Sequence, residues 1–144
     1  MKASNLSEDM IVIVGGGPAG RLAALRLAHA GKDVLLINRG ALGGQCLHHG
    51  CMVVCALNDV ARLLNQSRLL CDLGVFDAPP RLTFKTLLAE MKEIQKIISR
   101  VLLEETRSAG VTILEGEGSV DGRSVTADGE ELDADAILIA TGSR

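Results

Sequence analysis

Two cysteines, Cys46 and Cys51, sit in a glycine-rich stretch that reads Gly43-Gly44-Gln45-Cys46-Leu47-His48-His49-Gly50-Cys51. Such a loop can bring two sulfurs together, given suitable Cα and Cβ positions. Cys51 falls at a predicted helix start. There the helix dipole favours a thiolate, lowering the thiol pKa and raising reactivity. The pair therefore suits thiol–disulfide exchange. Cys46, His48, His49, Cys51 and Cys55 could instead ligate zinc or an iron–sulfur cluster, although their spacing matches no standard knuckle. Cysteines can also be inert small hydrophobes. That reading explains Cys71 well and Cys55 tolerably, but Cys46 and Cys51 poorly, because both flank glycine turns. His48 and His49 read as loop residues rather than ligands or bases.

A second cluster precedes the first. Gly15, Gly17 and Gly20 satisfy G-x-G-x-x-G. The pattern alone is weak, but here an apolar strand (Met10 to Val14) enters it and an Ala/Leu-rich helix (Pro18 to Ala30) leaves it. Gly15 permits the tight turn, Gly17 lets backbone approach a pyrophosphate, and Gly20 allows close helix–strand packing. The helix start offers free N–H groups and a positive dipole end. Pro18 fits the first turn, where a missing N–H costs little. At the end of the next strand, Asn38 stands where an acid usually meets the ribose hydroxyls, and Arg39 stands where a cation could meet a 2′-phosphate. Arg39 reads first as a solvated side chain. A redox pair placed directly after a dinucleotide-binding βαβ unit can pass electrons to a bound flavin.

The elements that position these groups follow from hydrophobic patterning. Asp33 to Ile37 is a second buried strand, and Gly31 closes the helix between the two. Gly40 to Gly50 reads as a loop, and Cys51 to about Leu70 as a helix. Asp77 to Pro80 is a break. A long amphipathic helix is predicted from Thr83 to Ser108, with Leu87, Met91, Ile94, Ile98 and Val101 as its stripe against the sheet. Val111 to Leu114 is a strand. Asp121-Gly122 and Asp128-Gly129 flank Arg123 to Ala127 and predict a small antiparallel meander. Ala136 to Ala140 is the closing strand, before Thr141-Gly142-Ser143-Arg144. The expected fold is α/β, a three-layer Rossmann-type unit with an attached antiparallel β-meander.

The chain has 144 residues, 47% of them hydrophobic, and a net charge of -3. That is about one domain with a real core. The acidic balance argues against nucleic acid as a partner. With no Trp, no Tyr and two Phe, base-stacking platforms are poorly supported. The N-terminus, MKASNLSEDM, lacks the pattern of a signal peptide, and no apolar run is long enough for a bilayer. The expectation is a cytoplasmic protein without a membrane partner.

Three motifs occurring together, IVIVGGGPAG, the Gly43-Gly44-Gln45-Cys46-x4-Cys51 loop and the terminal ILIATGS, resemble the flavoprotein disulfide reductases. The similarity is greatest to the dihydrolipoamide dehydrogenase and mercuric reductase branch and covers essentially the whole chain. The resemblance implies FAD as cofactor. Gly15, Gly17, Pro18, Ala19 and Gly20 would surround its pyrophosphate, and Asn38 and Arg39 would lie near the adenosine ribose. Gly118, before the meander, would lie near the adenine. Gly44, Gln45 and Cys46 would run beside the flavin portion, and Thr141, Gly142 and Ser143 would close over the cofactor. Cys46 and Cys51 would be the redox disulfide, the first exchanging with a disulfide substrate and the second facing the flavin.

Two departures stand out. The family usually follows the second cysteine with Ile-Pro-Ser-Lys, whereas this chain has Met52-Val53-Val54-Cys55. Cys55 therefore replaces a lysine near the flavin, one helical turn from Cys51 and on its face, which suggests a third redox thiol. The family is also several times longer, with an NAD(P)H domain, a segment that completes the FAD domain, and a dimerisation domain donating a His-Glu pair. The expectation is that residues 1–144 are the first segment of the FAD-binding domain. The isolated chain would then be inactive, bind FAD poorly, and pair with itself or a complementary chain. A stand-alone dinucleotide-binding module, or a metal or iron–sulfur module, is the alternative.

Overall fold

The computed structural model describes residues 10–122 and 124–143. Expectations resting on residues 1–9, Arg123 or Arg144 lie outside the described residues. Strand β1 (Met10–Val14), helix α1 (Pro18–His29) and strand β2 (Asp33–Asn38) form the predicted unit, with β1 and β2 parallel. Strand β3 (Thr112–Glu115) adds outside β2, and strand β7 (Ala136–Ile139) adds on the other side of β1. The parallel sheet thus runs β3-β2-β1-β7. The chain moves outward from β1 to β3 and then returns to the opposite flank. This reversal opens a crevice at the carboxyl ends of the strands.

Successive strand side chains point to opposite faces, and both faces of this sheet are covered. Ile13, Val34 and Leu36 face the helices, where Ala24 of α1, Leu42 and Val111 complete a buried cluster. Val12, Val14, Leu35 and Ile37 face the other way and pack with Val125, Ala127 and Leu132. Those last residues belong to the meander β4 (Gly118–Asp121), β5 (Ser124–Ala127) and β6 (Glu130–Leu132), which is antiparallel in that order. The three layers are therefore helices, parallel sheet and meander. Double-sided burial explains the continuous apolar runs MIVIV and VLLI. Between β5 and β6, Asp128 and Gly129 both have positive φ, 50° and 86°, as the twist of a two-residue hairpin turn demands.

The remaining helices are α2 (Gly44–His48), α3 (Cys51–Asp72) and α4 (Phe84–Ser108). The stretch expected as a loop over Gly40 to Gly50 thus contains a helix of five residues. Gly43, at φ 113°, turns the chain into it, and Leu47 is buried beneath it. The α4 stripe also needs correction. Met91, Ser99 and Thr106 are buried, and Leu102 and Leu103 pack against the helix-side core. Ile94 and Val101, by contrast, are 53% and 46% exposed. The buried face is rotated from the most apolar stripe because Gln95, Ser99 and Thr106 make polar contacts within the fold. Among the described residues, no helix is long and apolar enough to cross a membrane.

Candidate functional site

An open cleft of about 800 Å³ lies at the carboxyl ends of β1, β2 and β7, a size usual for small-molecule and cofactor sites. Its floor is the turn between β1 and α1. Gly15, at φ 110°, has no room for a side chain, since a Cβ there would fall 2.3 Å from the Ala140 carbonyl oxygen. Gly20 does not line the cleft. A Cβ on it would sit 1.9 Å from the Gly15 oxygen and 3.1 Å from the Ala140 Cβ, so its role is the close packing of α1 on the strands. Gly17 lines the cleft, and a Cβ there would meet only Gly44 Cα, at 3.8 Å. The first turn of α1, with Pro18 and Ala19, lies open to the cleft. The free N–H groups of a helix start favour an anion in that position.

The second wall starts from β2. Asn38 accepts a hydrogen bond from the Gly16 N–H at 2.7 Å and donates to the Gly40 carbonyl at 2.8 Å. An acid could serve the first contact but not the second, because a carboxylate has no donor. Asn38 therefore ties the glycine turn to the loop that leads to the cysteines. Arg39 pairs with Glu117 at 3.0 Å on the cleft rim. Gly118 opens β4 rather than preceding the meander. A Cβ there would come within 3.1 Å of Ile37 and Val14, so glycine lets β4 lie across the strand ends. Thr141, Gly142 and Ser143 follow β7 along the same cleft.

Gly44, Gln45 and Cys46 bring α2 to this cleft. The Gly43 N–H donates to the Gly16 carbonyl at 3.1 Å, and a Cβ on Gly44 would lie 2.8 Å from Gly17 Cα. The two glycine segments thus touch backbone to backbone. The Gln45 amide donates to the Ser143 carbonyl at 3.2 Å, closing a ring around the cleft mouth. Cys51 is the first residue of α3 and lies outside the cleft lining, but its sulfur is hydrogen-bonded with that of Cys46. That hydrogen bond is the main reason the Cys46 thiol is pushed above its ordinary range. Desolvation and the neighbouring charges of Cys51 and Cys55 act in the same direction, while the Cys51 backbone N–H opposes them. All four cysteines are free thiols, with Cys46 and Cys71 half-buried and Cys51 and Cys55 exposed.

The residues singled out from sequence thus converge on one cleft, apart from Gly20 beneath it and Cys51 beside it. Sequence reasoning missed Gly16, Gly116 and Glu117 and set His48 and His49 aside as loop residues; all five line the cleft, and His48 is the last residue of α2. Gly16 could have been found, since GGG leaves no side chain anywhere before the helix. A Cβ there would strike Leu42 at 2.3 Å. Among the described residues, no group of three His, Cys, Asp or Glu side chains is arranged to hold a metal ion.

The family model described as pyridine nucleotide-disulphide oxidoreductase matches residues 9–144. A dihydrolipoyl dehydrogenase of Haloarcula marismortui is 32% identical over 93% of this chain, which covers 30% of that protein. A dihydrolipoyl dehydrogenase of Acholeplasma laidlawii is 30% identical over 94% of the chain, covering 41% of its length. Among solved structures, LpdA of Mycobacterium tuberculosis superposes with a TM-score of 0.80 at 28% identity, over 93% of this chain and 32% of that one. The chain therefore spans about a third of the length of the relatives it matches.

Proposed function

Because the chain belongs to the pyridine nucleotide-disulphide oxidoreductase family, we propose that it holds FAD and sets the Cys46–Cys51 pair beside the flavin. In the full enzyme, electrons from NAD(P)H would reach a disulfide-type substrate through this pair. One observation carries the reading: Cys46 and the glycine turn of α1 line the same cleft. A redox thiol and a phosphate-binding helix start therefore face one space.

The residues present fit the cofactor. Gly17 and Gly44 leave backbone where a side chain would fill the approach. The open first turn of α1 provides N–H donors and a positive dipole end for the pyrophosphate. Asn38 fixes the turn against the β2 loop, and Thr141, Gly142 and Ser143 form the opposite lip. Arg39 and Glu117 mark the ribose and adenine end. When bound, FAD supplies the two-electron chemistry that couples to a dithiol. Of the two thiols, Cys46 holds its proton more tightly than an ordinary cysteine. Oxidation of the dithiol forms one S–S bond and releases two electrons and two protons.

Several parts of this reading concern the whole protein: the choice of disulfide, the source of hydride and the need for a partner. Leu138 and Ile139 of β7 are exposed on the outer flank of the sheet. A second copy or a complementary chain would cover them. Until that flank is covered, FAD binding should be weak, and a nanomolar dissociation constant for the isolated chain would contradict this. Cys55, exposed one turn beyond Cys51, would serve as a third exchange thiol, and unchanged turnover in Cys55→Ser would remove that role. A cytoplasmic site, where thiols stay reduced, completes the proposal, and cell fractionation tests it. Titration of the purified chain with FAD tests the whole. Saturable binding that weakens when Gly17 becomes Val supports it, and binding indifferent to that change refutes it.

A further inference from the structure

The corner joining α2 to α3 carries both thiols, yet little of it is buried. Leu47 is its one fully sequestered side chain between Gly44 and Cys51. Two buried or half-buried polar residues of α4 reach across to it. The Gln95 amide donates to the Leu47 carbonyl at 2.9 Å and to the His48 carbonyl at 3.2 Å. Ser99, 8% exposed, donates to the Leu42 carbonyl at 2.8 Å. His48 Nε2 lies 3.1 Å from the same Leu42 oxygen. The Leu47 and His48 carbonyls belong to the last turn of α2, where no intrahelical donor remains. A helix of five residues has too few internal bonds to hold its own shape, so outside donors fix where it ends and how Cys46 faces Cys51.

We infer that Gln95, backed by Ser99, is a positioning residue for the Cys46–Cys51 pair, clamping the end of α2 so that the two sulfurs meet. Gln95 touches neither sulfur and acts through the Leu47 and His48 carbonyls. The inference rests on the reading of Cys46–Cys51 as the redox pair. Glutamine lies on the face of α4 that turns inward, where an apolar residue would otherwise be expected. Its position there is explained by the two carbonyls it serves.

The test compares the full chain with Gln95→Met, which keeps bulk and removes the donors. Ser67→Ala serves as the control. Ser67 is buried on α3 and donates to the Leu63 carbonyl at 2.8 Å, far along the helix from the thiols. Each protein is equilibrated in glutathione buffers, and the Cys46–Cys51 disulfide is quantified by peptide mass mapping, alongside the thermal midpoint. The inference predicts that Gln95→Met lowers the equilibrium constant for disulfide formation about tenfold, the effect of losing one to two hydrogen bonds that orient the pair. Ser67→Ala, whose hydroxyl bonds only its own helix, should leave that constant unmoved. A constant in Gln95→Met within about twofold of wild type would overturn the inference, as would an equal fall in Ser67→Ala. A wild-type chain that forms no Cys46–Cys51 disulfide at any glutathione ratio would refute the redox-pair reading itself, and the clamp with it.

Discussion

The cleft has two walls built by different means. The wall of β1, the glycine turn and α1 grows out of the core. Val12, Ile13 and Leu36 are fully buried behind it, and Gly15 and Gly20 sit where no Cβ fits. The wall of α2, which leads into α3 outside the cleft lining, stands away from the core. Ser67 is the only buried side chain among the described residues of α3, and the corner is fixed by one hydrogen bond each from Gly43 and Ser99 and two from Gln95. Backbone packing gives the first wall a geometry that cannot drift without unfolding the sheet. Side-chain hydrogen bonds give the second a geometry that can be retuned at a cost of about 1 kcal/mol each. Under the proposed function, anion binding would belong to the rigid wall and thiol chemistry to the adjustable one.

The contrast can be broken or sharpened by mutation. The largest effect is expected at Gly20→Ala, whose new Cβ would collide with the Gly15 carbonyl. Loss of about 3 kcal/mol or more, or failure to fold, is expected in denaturant titration. A stable Gly20→Ala protein would show that the first wall is not rigid. Next is Cys51→Ala. Because Cys51 is exposed, stability should stay within about 0.5 kcal/mol, while formation of the Cys46–Cys51 disulfide is abolished. The same change removes the leading cause of the raised Cys46 pKa. A group raised by a neighbour falls when the neighbour is removed. The pH profile of Cys46 alkylation should therefore move to lower pH, and an unmoved profile would show that the thiols do not interact.

A smaller change is expected at Asn38→Asp, which keeps the acceptor for Gly16 and sets a carboxylate against the Gly40 carbonyl. A loss of about 1 kcal/mol should appear in thermal unfolding, with the β2 loop exchanging amide hydrogens faster. The smallest belongs to Arg39→Ala. Its pair with Glu117 is exposed on both sides, so stability should change by less than about 0.5 kcal/mol and the change should vanish in high salt.

The rigid wall was legible in the sequence, and the adjustable wall less so. Periodicity located β1, α1 and β2 because both sheet faces are buried and the glycines have fixed steric tasks. The Asp128-Gly129 turn was equally legible, since two positive φ angles demand those residue types. Cys46 and Cys51 were found by type and spacing, but α2 was not, because five residues carry no period. The α4 stripe misled for a physical reason: Ile94 and Val101 are the more apolar side chains, yet the fold turns Gln95, Ser99 and Thr106 inward to meet partners distant in sequence. Long-range polar contacts of this kind leave no local pattern. Asn38 was read as lying near the adenosine ribose, and its hydrogen bonds add a bridge between the turn and the loop that no local pattern announces.

The central claim is that the two walls share one cofactor, with the thiols against its redox end. A visible spectrum of the chain at saturating FAD, before and after addition of a dithiol, tests this most directly, because the flavin and any thiolate charge-transfer band absorb where the protein does not. The account predicts a long-wavelength band that appears on reduction of the pair and is lost in Cys51→Ala. Bound flavin whose spectrum ignores the dithiol, or a chain that takes up no FAD at saturation, would contradict it.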